Sequence, residues 1–130
     1  MELKTGIKGK TELTVTLNET AASAGSGGLE VFSTPHMLAL MENTAWSSVE
    51  PYMEEGKTTV GTHIDMAHLS ASPVGAHITA ESELVEIDRR RLVFRVNASD
   101  DAGLIGEGTH ERFIIDKEKF MSNTESKVKG

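Results

Sequence analysis

Cysteine is absent from the 130 residues, which excludes a disulfide framework, thiolate zinc sites and a cysteine nucleophile. Aromatic residues are few, one Trp, one Tyr and four Phe, so a core has to be assembled mainly from Leu, Val, Ile, Met and Ala. No stretch of 18 apolar residues occurs, and no apolar run follows the opening "MELKTGIKGK". Neither a membrane span nor a secretory leader is therefore expected, and a cytoplasmic location is the expectation. Positive charge is the minority sign: 13 Lys and Arg stand against 20 Asp and Glu, a formal net charge of −7. That balance argues against the broad phosphate-binding surface of a nucleic-acid protein. What remains, 130 residues at 38% hydrophobic content, suits one globular domain over 1–130.

"ELTVTL", residues 12 to 17, alternates apolar and polar residues as a half-buried strand does. "AASAGSGG", residues 21 to 28, reads as a glycine-rich loop without the lysine of a nucleotide-binding loop. In "STPHMLALMENTAW" Thr34 reads as the N-cap and Pro35 as the first residue of a helix running to about Met53. Four strand-like segments follow, 58 to 69, 76 to 87, 90 to 99 and 104 to 116, joined by short polar connections that imply antiparallel pairing. The charged "DRRR" at 88 to 91 reads as a solvated hairpin tip. One long helix with long antiparallel strands implies an α+β domain, the sheet packing on the helix. The tail from 121 to 130 is polar and is expected to fray.

Glu42 is the anomaly of the helix. At 100° per residue, Leu38, Ala39, Ala45, Trp46, Val49 and Met53 all fall within about 60° of it, which centres a carboxylate on an apolar stripe. Burying one without partners costs several kcal/mol or forces protonation. Two readings stand: a carboxylate satisfied by neighbouring strands, or a general base or nucleophile in an apolar cleft. His68 falls in phase with Val60, Thr62, Ile64 and Met66 and is structural or functional by the same alternatives, while His63 and Asp65 fall on the opposite face. His36, His77 and His110 supply no metal-binding spacing, and no metal site is expected. Gly106 and Gly108 share a strand face, where a missing side chain admits either another backbone or a ligand.

Taken together, "VFSTPHMLALMENTA", "VGTHIDMAHLSASPVG" and "GEGTHER" resemble the hotdog-fold thioesterases, in particular the group that includes the fluoroacetyl-CoA thioesterase. The likeness spans about residues 8 to 120, and its specific pieces are Thr34 and Glu42 eight positions apart, Gly61 and Thr62 followed by His68, and the late "GTHER" strand. The resemblance implies a hotdog fold, one long central helix wrapped by an antiparallel sheet. It implies hydrolysis of an acyl-CoA thioester, with Glu42 as nucleophile or general base, His68 moving protons and Thr34 orienting one of them. Gly61, Thr62, Gly108 and Arg112 are implied to border the substrate, with a backbone N–H near Gly61 or the helix start serving the oxyanion. A homodimer or a higher assembly is implied, with the sites near the interface, and no cofactor beyond the CoA of the substrate.

The segment "AASAGSGGLE" departs from the fluoroacetyl-CoA enzyme, whose lid carries aromatic residues there. A small or medium acyl group, without selection for fluorine, is therefore the expectation. Two other functions are compatible with the same fold. An acyl-CoA hydratase pairs aspartate and histidine in a motif that the chain lacks. A non-catalytic acyl-CoA binding or regulatory module has no need of a carboxylate beside a thioester.

Overall fold

Residues 2–128 are described by a computed structural model. The chain runs β1 (Lys8–Thr14), α1 (Ala21–Ala24), α2 (Thr34–Val49), β2 (Lys57–His68), β3 (His77–Asp88), β4 (Arg91–Asp100), β5 (Gly103–Asp116) and α3 (Lys117–Glu125). The strands form one antiparallel sheet in the order β1-β3-β4-β5-β2. Tight turns join β3 to β4 and β4 to β5, whereas the longer link after β2 carries the chain past β5 and β4 before β3 begins. β2 is therefore an edge strand beside β5. This is the expected hotdog arrangement, with α2 lying on one face of the sheet.

Several boundaries differ from the sequence reading for identifiable reasons. β1 occupies Lys8–Thr14 rather than 12 to 17, because Thr16 and Glu19 close a capping box around a 3₁₀ turn at Leu17–Glu19. Leu17, read as an inward residue, is exposed as a result. Within 21 to 28, Ala21–Ala24 form a short helix capped by Thr20 and ended at left-handed Gly25. The long helix stops at Val49 instead of near Met53, and a 3₁₀ turn follows at Glu50–Tyr52. Pro51 has no N–H for the next helical bond, and its ring crowds the preceding turn. At the other end of the chain, Asp116 caps α3, so that part of the supposedly frayed tail, residues 121 to 125, is helical.

The core lies between α2 and the sheet. Met37, Met41, Ala45 and Val49 of the helix are buried with Ile78 and Leu84 of β3 and Leu92, Phe94 and Val96 of β4. Each such large apolar side chain contributes about 1.5–3 kcal/mol by leaving water. The face centred on Met41 is the buried one, which corrects the stripe centred on Glu42. Apolar residues surround the helix on most sides, and burial selects those that meet the strands. Glu42 consequently sits on the flank, half-buried, with Ala39 exposed and Trp46 36% exposed beside it.

Candidate functional site

One extra residue in β2 decides which side chains face the helix. Gly61 pairs with Arg112 and His63 with Glu111, so Thr62 is a bulge. Beyond it the alternation changes phase, and Thr59 and Gly61 come to share a face with Ile64, Met66 and His68. Uninterrupted counting had put them on opposite faces. Thr62 itself donates to the Glu111 carbonyl at 3.2 Å and lies outside the cluster formed around Gly61.

The first cluster is at the start of α2. Ser33, not Thr34, is the N-cap: its buried hydroxyl accepts the His36 N–H at 3.0 Å and also contacts His36 Nδ1. Thr34 is thus freed from capping, and its hydroxyl lies 2.7 Å from Nδ1 of His68, the last residue of β2. His68 Nε2 is buried with no hydrogen-bond partner in the single chain. A cleft of about 330 Å³ opens beside the pair, bordered by Ala21, Ser26, Val31, Leu69 and Ala71. The α1 segment contributes the small side chains of Ala21 and Ser26 to its border, Phe32 lines it as well, and Leu29 stands 70% exposed.

The second cluster surrounds Gly61. A Cβ at this position would stand 2.9 Å from Glu42 Oε2, 3.2 Å from His110 Cε1 and 3.4 Å from Arg112 Nη1. Three polar side chains therefore converge on a space that only glycine leaves open. Arg112 is held firmly there: Nε donates to Thr59 Oγ1 at 2.8 Å, Nη2 to the Thr59 carbonyl at 2.9 Å, and Nη1 lies 3.1 Å from His110 Nε2. Burial lowers the Arg112 pKa from its ordinary value, opposed by the charges of Glu42 and Glu50. Burial also lowers that of His110, and the neighbouring Arg112 charge adds to the effect, against the bond to the His63 carbonyl.

Within one chain the two clusters are separate. The eight helical steps from Thr34 to Glu42 span about 12 Å, so Glu42 meets Gly61 and Arg112 while Thr34 meets His68. Gly108 belongs to neither, because the space at its Cα is filled by the Asp65 carbonyl and by Met66 Cα, 2.7 Å from an ideal Cβ. Gly106 likewise makes room for Met37 Sδ, 2.8 Å from its ideal Cβ. Both glycines serve packing: Gly108 admits the neighbouring backbone, and Gly106 admits the Met37 side chain. Thr59 and His110 are the polar residues that sequence reasoning passed over. The period-two count from Gly106 and Gly108 extends to His110 and Arg112, but nothing local announces Thr59, because the bulge reverses its phase. The "DRRR" tip is a hairpin turn as expected: Arg89 takes φ 58°, and Arg91 pairs with Glu86 at 3.0 Å and Glu111 at 2.8 Å. Among the described residues no group of three or more His, Asp or Glu is placed to hold a metal ion, and no helix is long and apolar enough to cross a membrane.

Comparison with known proteins identifies the family of the chain. Residues 15–118 match the family model of FlK, described as a fluoroacetyl-CoA-specific thioesterase. The fluoroacetyl-CoA thioesterase of Streptantibioticus cattleyicolor is 42% identical over 99 residues, 76% of this chain and 71% of that protein. The solved structure of the fluoroacetyl-CoA thioesterase FlK superposes with a TM-score of 0.92 at 33% identity, covering 98% of this chain and 99% of that one. A thioesterase superfamily member from Thermus thermophilus gives a TM-score of 0.88 at 26% identity, covering 95% and 91%.

Proposed function

This chain belongs to the fluoroacetyl-CoA-specific thioesterase family and is a thioester hydrolase, and from that premise we propose that it cleaves small or medium acyl-CoA thioesters with Glu42, His68 and Thr34. The observation that carries the assignment is the Thr34–His68 bond at 2.7 Å, formed by a helix-start hydroxyl that the cap at Ser33 leaves free. With Thr34 donating to Nδ1, His68 Nε2 carries the hydrogen and is the proton donor to the departing thiolate. Glu42 acts on the thioester carbon as nucleophile, or removes a proton from the water that adds to it. As nucleophile, Glu42 forms a mixed anhydride while the C–S bond breaks, and water then splits that anhydride; as general base, it takes a proton from the water whose oxygen bonds to the carbon as the C–S bond breaks. In both cases the CoA sulfur takes a proton from His68, and of the water's two protons one stays with the free acid and the other returns through Glu42 to His68, so both side chains end as they began. CoA enters as part of the substrate, and no other cofactor takes part.

The separation of the clusters supports a two-fold dimer in which each site draws on both subunits. β2 has a free edge at the end of the sheet order, and Ala39 and Trp46 leave apolar surface open on the adjoining helix flank. Antiparallel pairing of β2 with its own copy, centred between Ile64 and Asp65, sets Gly61 opposite the partner subunit's His68. Glu42 then approaches the partner's Thr34 and the partner's His68. The α1 segment lends the cleft only the small side chains of Ala21 and Ser26 and no aromatic one, which supports acyl groups larger than a two-carbon unit without selection for fluorine.

Complementation tests the arrangement. Glu42→Ala and His68→Ala are each expected to be inactive as homodimers. After subunit exchange, a mixed dimer carries one site with neither defect and one with both. Recovery of thiol release on mixing supports sites shared between subunits, whereas no recovery in verified mixed dimers assigns both residues to the same subunit and contradicts the proposed pairing.

A further inference from the structure

We propose that His110, outside the Glu42, His68 and Thr34 set, is a positioning residue that fixes the Arg112 guanidinium toward the reacting carboxylate; this rests on Glu42 having that role. His110 is 1% exposed and Arg112 7% exposed, so neither side chain is placed by solvent. Around His110 stand Arg112 and Glu111 of its own strand, His63 of β2, Glu42 of α2, and Phe94 of β4, whose ring centroid is 6.3 Å away.

The hydrogen bonds determine the form of the ring. Nδ1 lies 2.8 Å from the His63 carbonyl, which only accepts, so Nδ1 carries the hydrogen. Nε2 then presents its lone pair to Arg112 Nη1 at 3.1 Å. Thr59 supplies the other two acceptors, its hydroxyl and its carbonyl. Every direct partner of the guanidinium is thus neutral, and among the described residues no carboxylate lies within ion-pair distance of it. A guanidinium has five N–H groups in a rigid fork. Three go to these acceptors, and Nη1, which keeps a second N–H, lies 3.4 Å from the Cβ position above Gly61, where Glu42 Oε2 also points. The cradle fixes the cation without neutralising it, leaving its charge for the carboxylate and for negative charge that develops on the thioester oxygen.

Protonation of His110 would turn Nε2 into a donor facing another donor, and two positive charges would share one buried site. Burial beside Arg112 opposes that protonation, so the cradle stays assembled at neutral pH and comes apart on acidification.

The test compares wild type, His110→Phe and His110→Gln in thiol release from acyl-CoA esters, with ¹⁵N NMR of the His110 ring. Phe keeps an aromatic ring, somewhat larger, and removes both the donor and the acceptor; Gln restores one donor and one acceptor. The expected result is a kcat lower by roughly tenfold to a hundredfold in His110→Phe, a KM changed much less, and partial recovery in His110→Gln. The wild-type ring is expected to show the Nδ1–H tautomer. An unchanged kcat in folded His110→Phe, or an Nε2–H tautomer in wild type, would overturn the proposal. Should the Phe variant not fold, a Gln variant with no better activity than an Arg112→Ala control overturns it as well, and the tautomer still decides. Failure of wild type to hydrolyse any ester would refute the catalytic reading of Glu42, an outcome distinct from these.

Discussion

The Thr34 hydroxyl and His68 Nδ1, 34 residues apart in the chain, lie 2.7 Å from each other and tie the first residue of α2 to the last residue of β2. The bond exists because Ser33 takes over the capping of the helix. The two neighbouring hydroxyls therefore have different predicted effects when removed.

Ser33→Ala is expected to cost about 1 kcal/mol of stability through loss of the cap, with kcat within a few-fold of wild type. Thr34→Ala is expected to leave stability nearly unchanged and lower kcat by roughly tenfold to a hundredfold, since His68 loses its orienting partner. Thr34→Ser keeps the hydroxyl and should retain most of the activity. Denaturant unfolding alongside steady-state kinetics checks the contrast, and a Thr34→Ala enzyme as active as wild type would contradict it.

Two glycines separate packing from chemistry. At Gly61 an added methyl meets the flexible end of Glu42 at 2.9 Å, but also the fixed ring of His110 at 3.2 Å. Gly61→Ala is expected to fold and to lose about a hundredfold in kcat by displacing the carboxylate. At Gly108 the obstacle is the backbone of Asp65 and Met66 in the paired strand, which has no room to move. Gly108→Ala is expected to destabilise by more than about 3 kcal/mol. Measured midpoints and rates in the reverse order would refute this division.

Acid sensitivity follows from His110. In the unfolded chain its imidazole takes up a proton near pH ~6.5, whereas burial, reinforced by the Arg112 charge, holds the pKa lower in the fold. Between those two values the unfolded chain binds more protons. The contribution to stability is therefore complete above pH ~6.5 and is lost as pH falls through the window. Urea midpoints taken from pH 7.5 down to 5 are expected to decline for wild type, and less steeply for His110→Gln, which has nothing to titrate there. Identical slopes would remove His110 as the source.

The elements were legible in the sequence to the extent that local patterns determined them. β2 to β5 follow from alternating residues and hairpin turns, and Thr34, Glu42 and His68 follow from motif spacing. Glu42 was singled out on the premise that its own helix face is the buried one, whereas it lies on the flank of the buried face. The helix is apolar on most sides, so that only contact with the sheet reveals Met37 and Met41 as its inner residues. The Thr62 bulge reverses strand phase without any local signature, which hid the juxtaposition of Thr59, Gly61 and Arg112. Ser33 and Thr34 are both competent caps, and tertiary packing around the buried Ser33 decides between them.

The central claim is tested most directly by free thiol released from short, branched and aromatic acyl-CoA esters by wild type, Glu42→Ala and His68→Ala, each first confirmed as folded and in the same oligomeric state. Turnover by wild type that falls by orders of magnitude in both variants is the predicted result. No release from any ester, or equal rates in all three proteins, would contradict it and leave Glu42 a structural carboxylate in an acyl-CoA binding module.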